Sequence, residues 1–385
     1  MADSTVLQAS QQAIERWRVP ALSVATSVAG ERRQFQLGCD EDARFRIASI
    51  TKPMTASLAV QLLDLDESTG IWPDDVRVRH LLAHVTGYGG EIGDLSRFGE
   101  GDDALGTAVA ELPSVERLVP LDAAWSYANT GYWVAGWLAA QQNGSTYEEA
   151  LLEHVLGPAG ITGATFAEPS LAGHGPGAGG GDYPRARRPS GGVVATAADV
   201  GRFAEWQLQN AWTNALRVPL AKPTAGVYGL GFFGQRVAGT DVWGHPGSYG
   251  GFQSSLLLVP SRDAWFVALT NSGLGGQALR EIEDAWFEEL LGTSRPVPPT
   301  VALDPEALAR FGGTYENEDV TVKVSPGGEG LVVQATSATE EVEETARPIG
   351  PATFEIVGGD DDRGRFDFPL DGFARFGSRL ARRVE

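Results

Sequence analysis

Cysteine is nearly missing, with Cys39 the one thiol in 385 residues. That excludes a disulfide framework and a thiolate metal cluster. Cys39 also follows the strand-like run Arg33 to Leu37 and precedes Asp40, Glu41 and Asp42, whose charges raise a thiol pKa, so it reads as structural. Lysine is almost as scarce: Lys52, Lys222 and Lys323 are the lysines, and the other basic residues are arginine. Long apolar runs are lacking, none approaching the roughly 20 residues of a membrane helix, and Asp3 precedes any basic residue. These features predict a chain made without a secretory signal and acting in the cytoplasm. Positive charge is short overall, 30 basic against 50 acidic residues for a formal net charge of −20. Such a field repels phosphate backbones and anionic lipid and argues against nucleic-acid and membrane partners.

What is present is ordinary globular material, 42% hydrophobic and 21% charged. At roughly 150 residues per domain, the length asks for two or three domains. Val6 to Trp17 reads as an amphipathic helix, and Ala21 to Ser27, a turn at Ala29 and Gly30, and Arg33 to Leu37 read as a hairpin. Helical spacing dominates Ser49 to Asp64, Val78 to Val85 and Gly131 to Gln141. Strand patterns return at Ser254 to Val259 and Trp265 to Thr270, before a helix over Gln277 to Leu291. The pattern predicts an α+β fold, one sheet flanked by helices with a helical insertion over about 50–190. Pro296, Val297, Pro298 and Pro299 mark a stiff linker, placed at 296–302, between a domain over 1–295 and a small all-β domain over 303–385.

The chemistry begins at Ser49 and Lys52, three residues apart at a helix start and so on one face. A serine hydroxyl needs a base, and a partly desolvated lysine can serve. Tyr127-Ala128-Asn129 precedes an apolar helix, where a tyrosine can shuttle a proton. His245-Pro246-Gly247-Ser248 falls just before the strand Ser254 to Val259, where a histidine and a backbone N–H can face a carbonyl. Taken singly, these motifs also fit a capping serine, a buried aromatic and a loop histidine.

Together, and in this order, they resemble the serine β-lactamase and penicillin-binding-protein superfamily, in particular class C β-lactamases, D-aminopeptidases, DD-peptidases and related esterases. Val78 to Tyr88 and Gly191 to Asp199 resemble two further segments of that family, so the resemblance spans about residues 10–292. The tail is similar to the lipocalin-like barrels of some D-aminopeptidases and penicillin-binding-protein-type peptide cyclases. The resemblance implies an antiparallel β-lactamase/transpeptidase-like fold and no cofactor. It implies Ser49 as acylated nucleophile, Lys52 as its activator, Tyr127 as proton shuttle and His245 as the residue that tunes the tyrosine. Asn129 would bind the substrate amide, Gly247 completes the third motif, and the N–H groups of Ser49 and Ser248 would form the oxyanion hole. Pro246 departs from the family, which usually carries Thr or Ser there to grip a substrate carboxylate.

Three other patterns carry less. His80 and His84 stand i, i+4, but no Glu follows His80 to complete a zinc motif, so no metal is expected. Gly175, Gly177 and Gly180 satisfy a dinucleotide-binding spacing without the preceding strand, and read as a flexible loop. Arg185, Arg187 and Arg188 form a basic cluster, either solvated or touching an anionic substrate. The expected function is a serine hydrolase acting on a peptide-like amide or ester. Transfer of the acyl group to an amine by a transacylase or peptide cyclase, and a non-catalytic binding module, are the alternatives.

Overall fold

The computed structural model describes residues 5–73, 75–89, 92–179, 181–337, 341–357 and 364–384. The chain opens with α1 (Thr5–Arg16), β1 (Leu22–Val28) and β2 (Glu31–Leu37). α1 buries Val6, Ser10 and Ala13, one helical face, and Ser10 returns its hydroxyl to the Val6 carbonyl at 2.7 Å, so its burial leaves no unmet polar group. A helical middle follows: β3 (Phe45–Arg46), α2 (Thr51–Leu62), α3 (Val78–Leu82), α4 (Ala104–Glu111), α5 (Asn129–Asn143), α6 (Tyr147–Leu151) and α7 (Arg188–Gly191). Next come β4 (Val194–Ala195), which pairs with β3, and α8 (Ala197–Gln209), capped by Thr196 and Asp199 in a reciprocal box. The chain then returns to the sheet in β5 (Val227–Tyr228), β6 (Phe233–Val237), β7 (Thr240–Tyr249), β8 (Phe252–Val259) and β9 (Ala264–Thr270), and crosses it in α9 (Gly275–Leu291).

Among the described residues this sheet runs β2-β1-β9-β8-β7-β6-β5, antiparallel throughout. The N-terminal hairpin joins strands more than 200 residues away because β1 pairs with β9, Leu22 opposite Thr270. Leu22, Val24, Phe266 and Ala268 face α1 and α9, while Ala25, Trp265, Val267 and Leu269 face the helical middle. Every residue of β9 is buried, as befits an interior strand of a sheet covered on both faces. No described helix is long and apolar enough to cross a membrane.

Two expectations need correcting. His245-Pro246-Gly247-Ser248 does precede the expected strand, now β8, but it is not a loop: it lies inside β7, hidden because Gly244, Pro246 and Gly247 erase the usual strand composition. The helix expected over Val78 to Val85 stops at Leu82, and His84 adopts a left-handed backbone at φ +58°.

After α10 (Pro305–Ala309), β10 (Gly313–Glu316), β11 (Val320–Gly327), β12 (Gly330–Ser337), β13 (Glu341–Pro348), β14 (Thr353–Val357), β15 (Arg365–Leu370), β16 (Phe373–Phe376) and β17 (Arg379–Arg383) close an eight-strand antiparallel barrel. Tyr315 opposite Arg383 seals it. Its interior is filled by touching rings, Phe311 stacked on Phe368 at 4.5 Å and Phe354 on Phe366 at 5.5 Å.

Candidate active site

Ser49 sits where extended backbone turns into helix. Ile47 donates its N–H to Val193 across the end of the short β3/β4 pair, Ala48 takes φ +45°, and a single 3-10 turn, Ala48–Ile50, runs into α2. A left-handed alanine is uncommon and is kept only where its surroundings impose it. Here Ser254 Oγ holds the Ile47 carbonyl at 2.8 Å. α2 buries every residue from Thr51 to Ala59, and Lys52 is wholly buried with it. Its Nζ donates to Asn129 Oδ1 at 2.7 Å and to the Ser190 carbonyl at 2.6 Å, and its third direction meets Ser49 Oγ at 3.2 Å. A buried lysine is tolerable only with such partners.

Tyr127 donates its hydroxyl to Ser49 Oγ at 2.8 Å, with Lys52 Nζ 4.8 Å from the centre of its ring. Burial pushes that hydroxyl far above its ordinary range, the hydrogen bond to Ser49 opposing only in part, so Tyr127 stands as a neutral phenol. The segment ahead of α5 is fastened by His84: Ser126 N–H donates to the His84 carbonyl at 3.0 Å and Ala128 N–H to its Nδ1 at 3.1 Å. The His84 ring lies 4.5 Å from the Tyr127 ring. Burial and the nearby Lys52 push the His84 pKa well down, and an Nδ1 that accepts leaves the proton on Nε2.

β7 supplies the facing wall. The two-residue turns at Ala238-Gly239 and Gly250-Gly251, all at positive φ, fix which residues exchange hydrogen bonds: 240, 242 and 244 with β6, and 243, 245, 247 and 249 with β8. β6 pairs no further than Gly244. The backbone of Pro246 and Ser248 therefore points to an edge that β6 leaves open. Proline costs the sheet no bond there, and the Ser248 N–H is left to that edge, in a residue that lines the same cavity as Ser49. Gly247 is required by contact, since a Cβ would lie 2.3 Å from the Ile47 carbonyl oxygen and 2.2 Å from Ser254 Oγ. His245 is buried, its Nδ1 2.6 Å from the Pro246 carbonyl, which can only accept; Nε2 is thus the unprotonated nitrogen and has no partner among the described residues. Desolvation, and after it the charge of Lys52, lower the His245 pKa to about 3. The structure gives no hydrogen bond between His245 and Tyr127, only rings 6.2 Å apart.

A cavity of about 300 Å³ joins these groups. The sequence motifs named Ser49, Tyr127, Asn129, His245, Pro246, Gly247 and Ser248 in its wall, and the basic cluster named Arg187; none named Tyr183, or Ser378 and Arg379 from the barrel's β16–β17 turn. Ser190 was also missed as a partner of Lys52, although it adjoins the glycine pair that drew notice. Gly377-Ser378 carries a turn signal, but nothing local says where that turn docks. Asn129 has its carbonyl oxygen committed to Lys52.

The remaining patterns resolve differently from expectation. His80 accepts the Arg77 N–H and caps α3, while His84 is off that helix, so the pair shares no face. Gly175 and Gly177 occupy a turn pinned through His174 to Asn271 and Gly273, whereas Gly180 lies outside the described residues. The basic cluster is divided: Arg185 and Arg188 share Glu148 at 3.1 and 2.6 Å, and Arg187 packs over the Tyr183 and Tyr249 rings at the cavity wall. Cys39 is half-buried, its thiol pKa raised by desolvation first and Asp40 second.

A family model described as Beta-lactamase matches residues 8–290. A protein described as penicillin-binding protein 4 from Amycolatopsis lactamdurans is 27% identical over 365 residues, 78% of this chain and 94% of that protein. The crystal structure of SurE with D-Leu superposes with a TM-score of 0.75 at 23% identity, over 98% of each chain, barrel included. A D-stereospecific amidohydrolase from Streptomyces sp. superposes with a TM-score of 0.62 at 23% identity, over 74% of this chain and 99% of its own.

Proposed function

The chain belongs to the beta-lactamase family, and from that premise we propose that it is a serine hydrolase that carries a peptide-like acyl group as an ester on Ser49. The observation that carries the proposal is the convergence of Lys52 Nζ and Tyr127 Oη on one serine oxygen, at 3.2 and 2.8 Å.

Lys52 takes the serine proton. Its contacts with Asn129 and Ser190 go to carbonyl oxygens that need only two N–H groups, so they persist whether the third direction holds a lone pair or a proton. Proton transfer then requires no rearrangement of the cage. Tyr127, kept as a phenol by burial, gives its proton to the leaving nitrogen or oxygen as the carbonyl carbon bonds to Oγ, and Lys52 returns a proton to the tyrosine. The oxyanion lies between the N–H groups of Ser49 and Ser248, the second exposed by the open edge of β7. Water completes the cycle by attacking the ester, with the proton path reversed.

The neighbours named above, a D-stereospecific amidohydrolase and a structure holding D-leucine, lend support to a choice of substrate class. We assign an amide or ester beside a D-configured residue. Phe233, His245, Pro246 and Ser378, which line the Ser49 cavity, also line a groove of about 1190 Å³ between the sheet and the barrel. That space favours, as a second reading, an amine that replaces water and receives the acyl group.

Incubation with a slow D-residue ester or a β-lactone, followed by intact-mass spectrometry, should show one acyl mass on the wild type and none on Ser49→Ala. No adduct across a broad panel of acylating probes would leave the non-catalytic reading standing. Products formed with and without added amines separate hydrolysis from transfer.

A further inference from the structure

The residues leading into Tyr127 are held from the barrel. Arg375 on β16 donates Nη1 to the Trp125 carbonyl at 2.8 Å. Leu380 on β17 donates its N–H to Ser126 Oγ at 3.1 Å, and Tyr127 donates its own N–H to the Ser378 carbonyl at 2.9 Å. Residues 125, 126 and 127 are thus each tied to one barrel hairpin, whose Gly377-Ser378 turn keeps Ser378 at φ +74°.

Arg375 is buried, at 2% exposure, and its other bonds explain why it stays there. Nε meets Asp367 Oδ1 at 2.8 Å and Thr224 Oγ1 at 3.0 Å, and the guanidinium lies 5.6 Å from the centre of the Trp125 ring. One planar cation therefore binds the barrel's Asp367 to two separate segments of the catalytic domain. A rigid fork of donors can do this and a single ammonium cannot. On the far side of the same backbone stands His84, holding Ser126 and Ala128. The segment that leads into Tyr127 is thus held both by the barrel hairpin and by His84.

We propose that the barrel is a working part of the reaction centre, and that Arg375 is a positioning residue that seats the Tyr127 hydroxyl on Ser49 through Trp125 and the β16–β17 hairpin. This rests on the Ser49 and Tyr127 roles given above. Misplacement of a reacting group by about 1 Å is enough to cost roughly a hundredfold in rate.

The test is a cycle of Arg375→Lys and Tyr127→Phe in the full chain, read as the acylation rate of Ser49 by a slow ester. Arg375→Lys keeps the charge opposite Asp367 and gives up the reach to Trp125 and Thr224. It should lower kcat by about ten- to a hundredfold with KM little changed. In the Tyr127→Phe background the same substitution should alter the residual rate less than about twofold, because residues that act through one group are not additive. An equal loss in both backgrounds, or no loss in the wild-type background, overturns the proposal. If Arg375→Lys does not fold, Ser126→Ala, which removes only the acceptor for Leu380, must show the same dependence on Tyr127 at smaller amplitude. Hydrogen exchange of the Tyr127 amide supplies a readout independent of turnover: slow in the wild type and faster in either variant. Unchanged exchange also overturns the proposal, whereas a wild type that exchanges as expected but never acylates on Ser49 refutes the hydrolase reading and leaves the clamp.

Discussion

Gly247 passes so near Ile47 that a Cβ there would lie 2.3 Å from the Ile47 carbonyl oxygen, two residues before Ser49. β7 and the turn that carries Ser49 are therefore in backbone contact, and the glycine is what permits it. Gly247→Ala must move β7 or the turn, since the second obstacle, Ser254 Oγ at 2.2 Å, is itself bonded to Ile47. Overpacking of this kind costs about 1–3 kcal/mol. A lower Tm with a large loss of Ser49 acylation is the expected result, and a variant acylated at the wild-type rate would show that the contact relaxes freely.

Lys52 and Tyr127 meet the same oxygen, so they should act as one unit. Lys52→Met and Tyr127→Phe are each expected to lower kcat by several orders of magnitude, with the double variant little slower than either. Losses that multiply would mean separate roles.

His245 should leave a mark on the pH dependence of stability. Unfolded, it binds a proton below its ordinary pKa of 6.5; folded, it does so only near 3. The unfolded chain thus holds the extra proton between those values, and stability falls as pH drops through that window. Between pH 6.5 and 5 the loss from His245 is about 1.5 kcal/mol, and His84 and His80 are shifted in the same direction. Urea unfolding at the two pH values should show a smaller loss in His245→Asn than in the wild type. Equal losses would mean that burial does not hold His245 neutral.

Pro246 offers no hydroxyl, and its missing N–H costs β7 nothing, so Pro246→Thr should fold normally. If the missing hydroxyl is what the site lacks for a substrate carboxylate, the ratio of kcat/KM for a penicillin to that for a neutral ester rises about ten- to a hundredfold, the worth of one hydrogen bond to a charged group. An unchanged ratio would move carboxylate recognition to Arg187, which lines the cavity.

By itself the sequence determined the elements whose pattern is local: α1, the β1–β2 hairpin, β8, β9 and α9 sit within a few residues of where periodicity puts them. It also carried the side chains that the structure gathers at Ser49, because Ser-x-x-Lys and Tyr-x-Asn each fit within about one turn of backbone, where spacing alone places groups together. β7 was illegible because glycine and proline replaced strand formers in the very residues that approach the Ser49 turn. The tertiary structure alone decided which cavity those motifs share with the barrel. Arg375 and Trp125 are 250 positions apart, and no local propensity encodes a bond between them. Such contacts form when already folded surfaces dock, and the complementarity that selects them is spread over the barrel turn, the Trp125–Ala128 segment and the Lys222–Thr224 loop together.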